Sequence, residues 1–208
     1  TQAIIDRFWK PFMRGVFLEN QLSTSVRKFE ETFRLFAKGD TVVPRLGIGE
    51  IPKQMAKQLP EDSIFLKQDV EKLGKSFVVT REGKEWRGRA VVLATEEPVA
   101  NRLLGIDEPS CKWNAVDCLY FSLPEKEIPT KTPILHLDGS GAGPINNLTF
   151  LSTLSDCAPQ GRALASASVI GKKELQIDQL VALANQQLKL WFGEKTKKWD
   201  FLRAYRIR

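Results

Sequence analysis

The chain has 208 residues, of which 42% are hydrophobic and 27% are charged, and its formal net charge is +6. These values are typical of a soluble globular protein with one large domain or two modest ones. They exclude a membrane-spanning protein, because no apolar run approaches the length that crosses a bilayer. The three cysteines are widely spaced, so neither a disulfide framework nor a zinc site is favoured.

The basic residues are concentrated at the two ends of the chain. Residues 1–60 carry 10 basic and 6 acidic side chains, and residues 189–208 carry 7 and 2. Such ends can attract phosphates or an anionic membrane surface, although a solvated face is the simpler interpretation. No secretory signal is visible, so we expect a protein of the cytoplasm or an organellar stroma rather than a secreted one.

Aromatic residues at helical spacing predict two helices at the start of the chain. The first, over residues 3–18, carries Ile4, Phe8, Phe12 and Phe17. Pro11 is expected to kink it. The second, which Ser23 or Thr24 would cap and Gly39 would end, has the apolar stripe Val26, Phe29, Phe33 and Phe36. We interpret this stripe as core, although so many aromatic residues also suit helices that line a pocket.

Residues 44–52, Pro-Arg-Leu-Gly-Ile-Gly-Glu-Ile-Pro, are interpreted as a tight turn before a short helix. From residue 63 the pattern changes to strands, with a hairpin signal over residues 77–84. The meander leads to residues 87–95, Arg-Gly-Arg-Ala-Val-Val-Leu-Ala-Thr, whose uncharged end is typical of a strand buried on both faces. Ligands collect at the carboxyl ends of such strands, so we expect one edge of a site at Ala94 and Thr95.

After a short helix over residues 98–104, four apolar runs predict the strands of a second sheet. They are residues 119–123, 134–137, 148–151 and 163–170. Residues 138–144, Asp-Gly-Ser-Gly-Ala-Gly-Pro, are interpreted as a loop, because the third glycine of a dinucleotide-binding turn would fall at Pro144 and no helical pattern follows. A long amphipathic helix over residues 176–192 and a last strand over residues 199–208 complete the prediction.

The sequence shows no complete catalytic constellation. The one histidine, His136, lies in an apolar strand without a nucleophile motif, so a structural role is favoured. The pair Glu96 and Glu97 is explained more simply as charge at the end of a helix. We expect no metal site, and the catalytic residues stay unknown.

Three stretches in order resemble the flavin-containing amine oxidase superfamily, which includes monoamine oxidases, phytoene desaturases and protoporphyrinogen oxidases. The first is residues 8–25, with the landmarks Pro-Phe at 11–12 and Gly-Val-Phe at 15–17. The second is residues 44–52 with the helix after them. The third runs from Ile64 through Val70 to Thr95, and residues 199–208 are similar to a strand that in this family returns toward the flavin domain.

The resemblance implies FAD as the cofactor of the full-length protein. In the family, the strand around Val70 lends backbone groups to the adenine end of FAD, and the buried strand ends against the cofactor. Val70, Ala94 and Thr95 are therefore the implied cofactor-binding residues. The sequence shows neither the family's Gly-rich βαβ unit nor its closing Gly-Asp segment. We therefore expect an internal portion of a flavoprotein that, by itself, is inactive and lacks FAD.

The fold that we expect is α/β, of the mixed α+β kind: a substrate-binding domain with a mixed sheet backed by helices, plus a β-meander from the cofactor domain. Residues 1–62 would be the helical part of the substrate domain, residues 63–105 the meander with the buried strand, and residues 106–208 the second sheet with the long helix.

The expected function of the full-length protein is that of an FAD-dependent oxidoreductase, which transfers hydride from a small apolar substrate to flavin. Phe8, Phe12 and Phe17 are the candidate wall of the substrate pocket, with core packing as the other interpretation of each. The alternative function is a noncatalytic binding module whose basic termini contact an acidic partner, nucleic acid or a membrane surface. We expect no nucleic-acid binding, while peripheral membrane contact and the oligomeric state are left open.

Overall fold

A computed structural model describes residues 1–106, 113–171 and 173–207. It is 36% helical and 22% strand, which confirms the predicted mixed class. The chain forms two compact units. One consists of Thr1–Ile51 with Trp113–Arg208, and the other of Pro52–Lys112. The predicted division at residues 62 and 105, which concerns functional domains, stays a prediction.

The first helix of the chain contains an irregular turn just before its proline. Helix α1 (Gln2–Ile4) continues into a π-helical turn (Ile5–Trp9) and then into α2 (Lys10–Phe17). Pro11 has no amide hydrogen and its ring crowds the carbonyl one turn earlier, so the regular bonding pattern is lost there. A kink was predicted at Pro11, and the irregular hydrogen bonding lies in the turn that precedes this residue.

Helix α3 (Val26–Lys38) begins after Ser25, whose Oγ accepts a hydrogen bond from the Lys28 amide at 3.4 Å. The prediction that Ser23 or Thr24 caps it is wrong. Ser23 Oγ donates instead to Glu19 Oε2 at 2.7 Å, and the Thr24 amide donates to Glu19 Oε1 at 2.8 Å. Glu19 thus accepts hydrogen bonds from both residues that the sequence favoured as caps, and Ser25 caps α3 in their place.

The aromatic stripe of α3 is not part of a closed core, since none of the residues of α3 is buried. Its rings pack against those of the preceding helix and against each other. Phe33 lies 5.4 Å from Trp9, and Phe36 lies 6.0 Å from Phe12, between ring centroids. The stripe was expected to be core. It is only partly covered, because these contacts lie on one side of α3.

The unit of residues 52–112 is built on a three-stranded antiparallel meander. Its strands are β1 (Val70–Leu73), β2 (Phe77–Thr80) and β3 (Glu85–Arg87), in the order β1-β2-β3. Helix α5 (Glu97–Leu104) follows and ends at Gly105, which has φ +68°. Only glycine adopts this left-handed backbone at no cost, so it ends the helix as predicted.

The prediction of a buried strand that ends at Thr95 is wrong for this structure. Residues 90–95 form no strand, Val92 is 85% exposed, and Ala94 and Thr95 are exposed as well. A strand exists only where a neighbouring strand accepts its hydrogen bonds, and no described residue pairs with this stretch. Residues 90–95 therefore have the apolar pattern of a buried strand, but they are not buried in this structure.

The other unit is organised around a five-stranded antiparallel sheet in the order β5-β6-β7-β4-β8. Its strands are β4 (Val116–Pro124), β5 (Leu135–Leu137), β6 (Asn147–Phe150), β7 (Arg162–Ile170) and β8 (Asp200–Ile207). These strands confirm all five predicted in this part of the chain. Helix α4 (Glu50–Ala56), within which the chain passes from this unit to the other, follows the predicted turn, in which Gly47 has φ +96°.

One face of this sheet forms the core together with α6 (Ile177–Phe192). Alternate residues of the strands point toward α6, as the period of two in a pleated strand requires. Alanines at 163, 165 and 167 of β7 are all buried and leave room for the larger core side chains. The largest buried ones are Leu119, Phe121, Leu123, Leu148, Phe150, Leu180 and Leu188. No helix in the described part of the chain is both long and apolar enough to cross a membrane.

Candidate functional site

The second face of the five-stranded sheet carries polar and aromatic side chains in two rows across the strands. The strand register places Leu137, Asn147, Ser168, Cys118 and Tyr205 in the first row. It places Leu135, Thr149, Ser166, Tyr120 and Arg203 in the second. We call these ten residues the open face. A face this rich in hydroxyl groups is not built for a dry core, and it offers donors and acceptors to a ligand.

Helix α2 lies across one end of the open face and is held there by two hydrogen bonds. Asn146 Nδ2 donates to the Pro11 carbonyl at 2.9 Å, and Asn114 Nδ2 donates to the Phe17 carbonyl at 3.0 Å. A Cβ atom at Gly15 would lie only 3.0 Å from Asn147 Oδ1, so the helix approaches the sheet closely here. The aromatic first helix and the open face therefore belong to one structural unit.

Two tyrosines and an arginine meet on the open face. The rings of Tyr120 and Tyr205 are edge to face, with centroids 5.7 Å apart and an angle of 88° between the planes. The guanidinium carbon of Arg203 lies 5.0 Å from the Tyr205 centroid. Such an arrangement can contact a ligand through aromatic surface, phenol hydroxyls and one positive charge.

Cys118 lies between Ser168 and Tyr205 in the first row and is half-buried. Burial raises the pKa of its thiol above the ordinary value, and the neighbouring Asp117 carboxylate raises it further. The thiolate is the nucleophilic form of cysteine, so this environment disfavours a catalytic thiol. Asp117 itself is fully buried, with its Oδ1 atom 3.9 Å from Arg206 Nε.

The predicted substrate-wall residues all lie on the first helix, but not around one cavity. The rings of Phe8 and Phe12 stack at 5.5 Å, and Phe8 is 43% exposed. Phe17 instead lines a cavity of about 360 Å³ between this helix and α3. The cavity is otherwise lined by Ile5, Trp9, Lys10, Met13, Leu22, Thr24, Val26 and Phe29. Phe29 belongs to the predicted aromatic stripe and Trp9 was not predicted, and their convergence depends on the turn between the helices. The role of Phe8, Phe12 and Phe17 in substrate binding stays a prediction.

The predicted cofactor-binding residues lie in the other unit. Val70 begins β1, an edge strand whose other side is free of any described strand, so it has backbone groups to offer. Two residues earlier, Gln68 Oε1 is buried, as is Trp86 Nε1 of β3, and neither finds a hydrogen-bond partner among the described residues. A donor would satisfy Gln68 Oε1, and an acceptor would satisfy Trp86 Nε1. These residues fit the adenine end of FAD, while Ala94 and Thr95 form a small, exposed, extended stretch. Their role in binding FAD stays a prediction.

His136 and the glycine-rich loop after it serve the structure. The His136 ring is edge to face with Phe150 at 5.5 Å and with Phe192 at 5.2 Å. In the loop, Asp138 Oδ1 accepts from the Ser140 amide at 3.0 Å, and Asp138 Oδ2 accepts from Gln187 Nε2 at 3.1 Å. The loop interpretation of residues 138–144 is thereby confirmed, and the buried Gln187 that anchors it was not recognised in the sequence.

Comparisons with known proteins agree on one kind of fold. A family model described as flavin containing amine oxidoreductase matches residues 1–204. Reduced UDP-galactopyranose mutase superposes with a TM-score of 0.61 at 13% identity, over 99% of this chain and 53% of its own. A protein from Pyrococcus furiosus gives a TM-score of 0.61 at 15% identity, over 79% and 43%. Putrescine oxidase bound to putrescine gives 0.53 at 16% identity, over 77% and 38%.

The chain spans about half the length or less of these structural relatives. A comparison with curated protein sequences finds no match. At identities this low, the structural likeness shows the fold, while the family match covers nearly the whole chain. The predicted resemblance is confirmed, and with it FAD as the cofactor of the full-length protein. The chain belongs to the family of flavin-containing amine oxidoreductases.

Proposed function

We propose that the full-length protein is an FAD-dependent oxidoreductase that oxidises an apolar substrate by hydride transfer to the flavin. The observation that carries this proposal is the family match over residues 1–204. The open face supports it, because α6 packs one side of the sheet and leaves a polar, aromatic side to line a ligand site. FAD, when bound, supplies the two-electron acceptor.

On this proposal, Val70 presents backbone groups of its edge strand to the adenine end of the cofactor. Gln68 Oε1 would accept from an adenine donor, which supplies the partner that the buried atom lacks among the described residues. Ala94 and Thr95 contribute small side chains, which let the backbone approach the nucleotide closely. These residues bind and orient the cofactor and carry no proton.

The aromatic residues of the first helix would exclude water from the apolar part of the substrate. Phe8 and Phe12 present stacked rings, and Phe17 belongs to a cavity whose lining is mostly apolar. A site that excludes water strengthens electrostatic interactions and protects a reduced flavin from side reactions. On this proposal, the protein side chains orient the substrate and exclude water from it.

The test is anaerobic reduction of the full-length flavoprotein. The protein is mixed with a panel of apolar amines and unsaturated compounds while the visible flavin absorbance is recorded. We expect at least one compound to bleach the flavin, and replacement of the donated hydrogen by deuterium to slow the bleaching. Bleaching at the same rate with deuterium at every donor carbon would contradict hydride transfer as the slow step. A protein without bound flavin would contradict the whole proposal.

The alternative function, a binding module, has one observation in its favour. Large apolar side chains of the first helices are exposed, among them Val26 at 70% and Leu35 at 62%, next to the basic residues of α3. Aromatic side chains of α3 are partly exposed as well, Phe33 at 39% and Phe36 at 42%. Binding to DNA, RNA or anionic vesicles that falls steeply with salt would favour this alternative. We expect no such binding to nucleic acid.

A further inference from the structure

Arg203 reaches the open face because of a β-bulge in strand β8. Phe121 of β4 is paired with Phe201, whereas the preceding residue, Tyr120, is paired with Arg203. Leu202 is therefore an extra residue without a partner in β4. A strand shifted by one residue turns every later side chain to the opposite face, so the bulge decides which face Arg203 occupies.

The extra residue decides on which face of the sheet the charge of Arg203 lies. Without it, the residue opposite Tyr120 would be Leu202, and Arg203 would point toward the hydrophobic core. With it, Ala204 faces the core opposite Leu119, and the arginine stands in the second row of the open face. Bulges are frequent beside binding sites, where they direct a side chain to a position that a regular strand cannot supply.

The other arginines of this sheet are already engaged. Arg162 donates to Ser122 Oγ at 2.9 Å and to Asp200 Oδ2 at 2.5 Å. Arg206 donates to the Leu175 carbonyl and lies near Asp117. Arg203, by contrast, forms an ion pair with no acidic side chain of residues 1–106, 113–171 or 173–207. Its guanidinium lies over the Tyr205 ring instead.

Stacking on a ring leaves the edge of a guanidinium free. The N–H groups of a guanidinium form a planar fork, which matches the two oxygens of a carboxylate or of a phosphate. In the same row, Tyr120 is paired with Arg203, and Ser166 lies one strand further on, so two hydroxyl groups share the row with the guanidinium. The row therefore combines one positive charge with neutral donors, as sites for an oxyanion do.

We propose that Arg203 determines substrate specificity by binding an oxyanion of the substrate, a carboxylate or a phosphate, on the open face. This inference rests on the proposed function, because it concerns the substrate of the same oxidoreductase. It adds a polar requirement: the substrate has an apolar body and carries one anionic group. Arg203 orients the substrate and takes no part in the redox step.

A structural role for Arg203 would have different consequences. Charged residues on edge strands discourage pairing between molecules, and β8 is an edge strand. If Arg203 served only that purpose, its removal would promote aggregation and leave the binding of small anions unchanged. Anion selectivity is therefore the readout that distinguishes the two roles.

The experiment measures the binding of four probes to the full-length flavoprotein through changes in its flavin absorbance. The probes are benzoate, phenyl phosphate, benzyl alcohol and benzylamine, which share a ring and differ in the charged group. The variants are Arg203→Gln, which removes the charge, and Arg203→Lys, which keeps the charge without the fork. Arg34→Gln removes an exposed charge of α3 and is the matched control.

We expect Arg203→Gln to weaken the anion that the wild type binds by about tenfold or more, as loss of a charge-assisted hydrogen bond implies. Arg203→Lys should retain part of the affinity, and benzyl alcohol should bind all proteins equally. If benzoate binds more tightly, the anionic group of the substrate is a carboxylate. If phenyl phosphate binds more tightly, it is a phosphate. Equal binding of both anions to wild type and Arg203→Gln would overturn the proposal, as would wild-type protein that binds neither. Flavin that is present and reducible in that case would leave the proposed function intact.

Discussion

The protonation of His136 should affect the stability of the sheet. Burial beside Phe150 and Phe192 lowers its pKa from the ordinary 6.5, against a smaller opposite effect of the Leu148 backbone. The native state therefore favours the neutral ring. Above pH 6.5 this costs nothing, and as the pH falls toward the lowered pKa the unfolded state gains protons first. Stability should thus decrease on acidification through this range.

The measurement is urea unfolding of wild type and His136→Leu at about pH 7.5 and about pH 5.5. We expect the free energy of unfolding to fall more for wild type than for the variant between the two pH values. His136 is the only histidine of the chain, so the difference reports this side chain alone. The same change with pH in both proteins would contradict the account.

Some residue roles were readable in the sequence and others were not. His136 was predicted as structural from its apolar strand, and Gly105 as a helix end from its position after a periodic segment. Gln187 was not recognised, because it bonds the Ile145 amide and carbonyl 42 positions away. The position of Arg203 on the open face was also hidden, since a bulge leaves no mark in the pattern of the strand itself.

At the scale of elements, the first helix and the loop after β5 are in close backbone contact. A Cβ atom at Gly139 would lie 2.8 Å from the Arg7 Cα and 2.9 Å from the Arg7 carbonyl oxygen. Backbone atoms cannot move aside as a side chain can, so even one methyl group must separate the two elements. The glycine is therefore required for the helix to dock.

We expect Gly139→Ala to lower the free energy of unfolding by about 1–3 kcal/mol. Gly49→Ala is the matched control, because a Cβ atom there meets nothing within 4 Å and its φ is not in the left-handed region. Chemical denaturation of both variants measures the effect. The prediction fails if the two substitutions change stability equally.

The elements themselves were predicted well where local pattern and long-range pairing agree. The strands that became β4, β6 and β7 show the pattern of a half-buried sheet, and α6 shows the amphipathic period of a helix. Residues 90–95 have the pattern of a buried strand but no partner in the described chain. The aromatic stripe of α3 likewise predicted burial. Only one neighbouring helix packs against it, so the burial is partial. Pattern thus predicts what a segment can bury, and topology decides whether it does.

At the scale of the whole molecule, the family could be read from three ordered stretches, although the structural relatives are only 13–16% identical to this chain. The open face could not, because its ten residues come from five strands whose order, β5-β6-β7-β4-β8, differs from their order in the chain. Its polar residues become a site only when the register brings them into rows. The assignment of Val70, Ala94 and Thr95 to the cofactor still rests on resemblance.

We predict that the full-length protein is a flavoenzyme whose FAD lies against residues 94–95. The most direct test is the molar ratio of flavin to protein in the purified full-length protein, for wild type and for Ala94→Trp. Ala182→Trp, an exposed position of α6, is the control. We expect one flavin per chain in wild type and control and a marked loss in Ala94→Trp. A flavin-free wild type, or full occupancy in Ala94→Trp, would contradict the account.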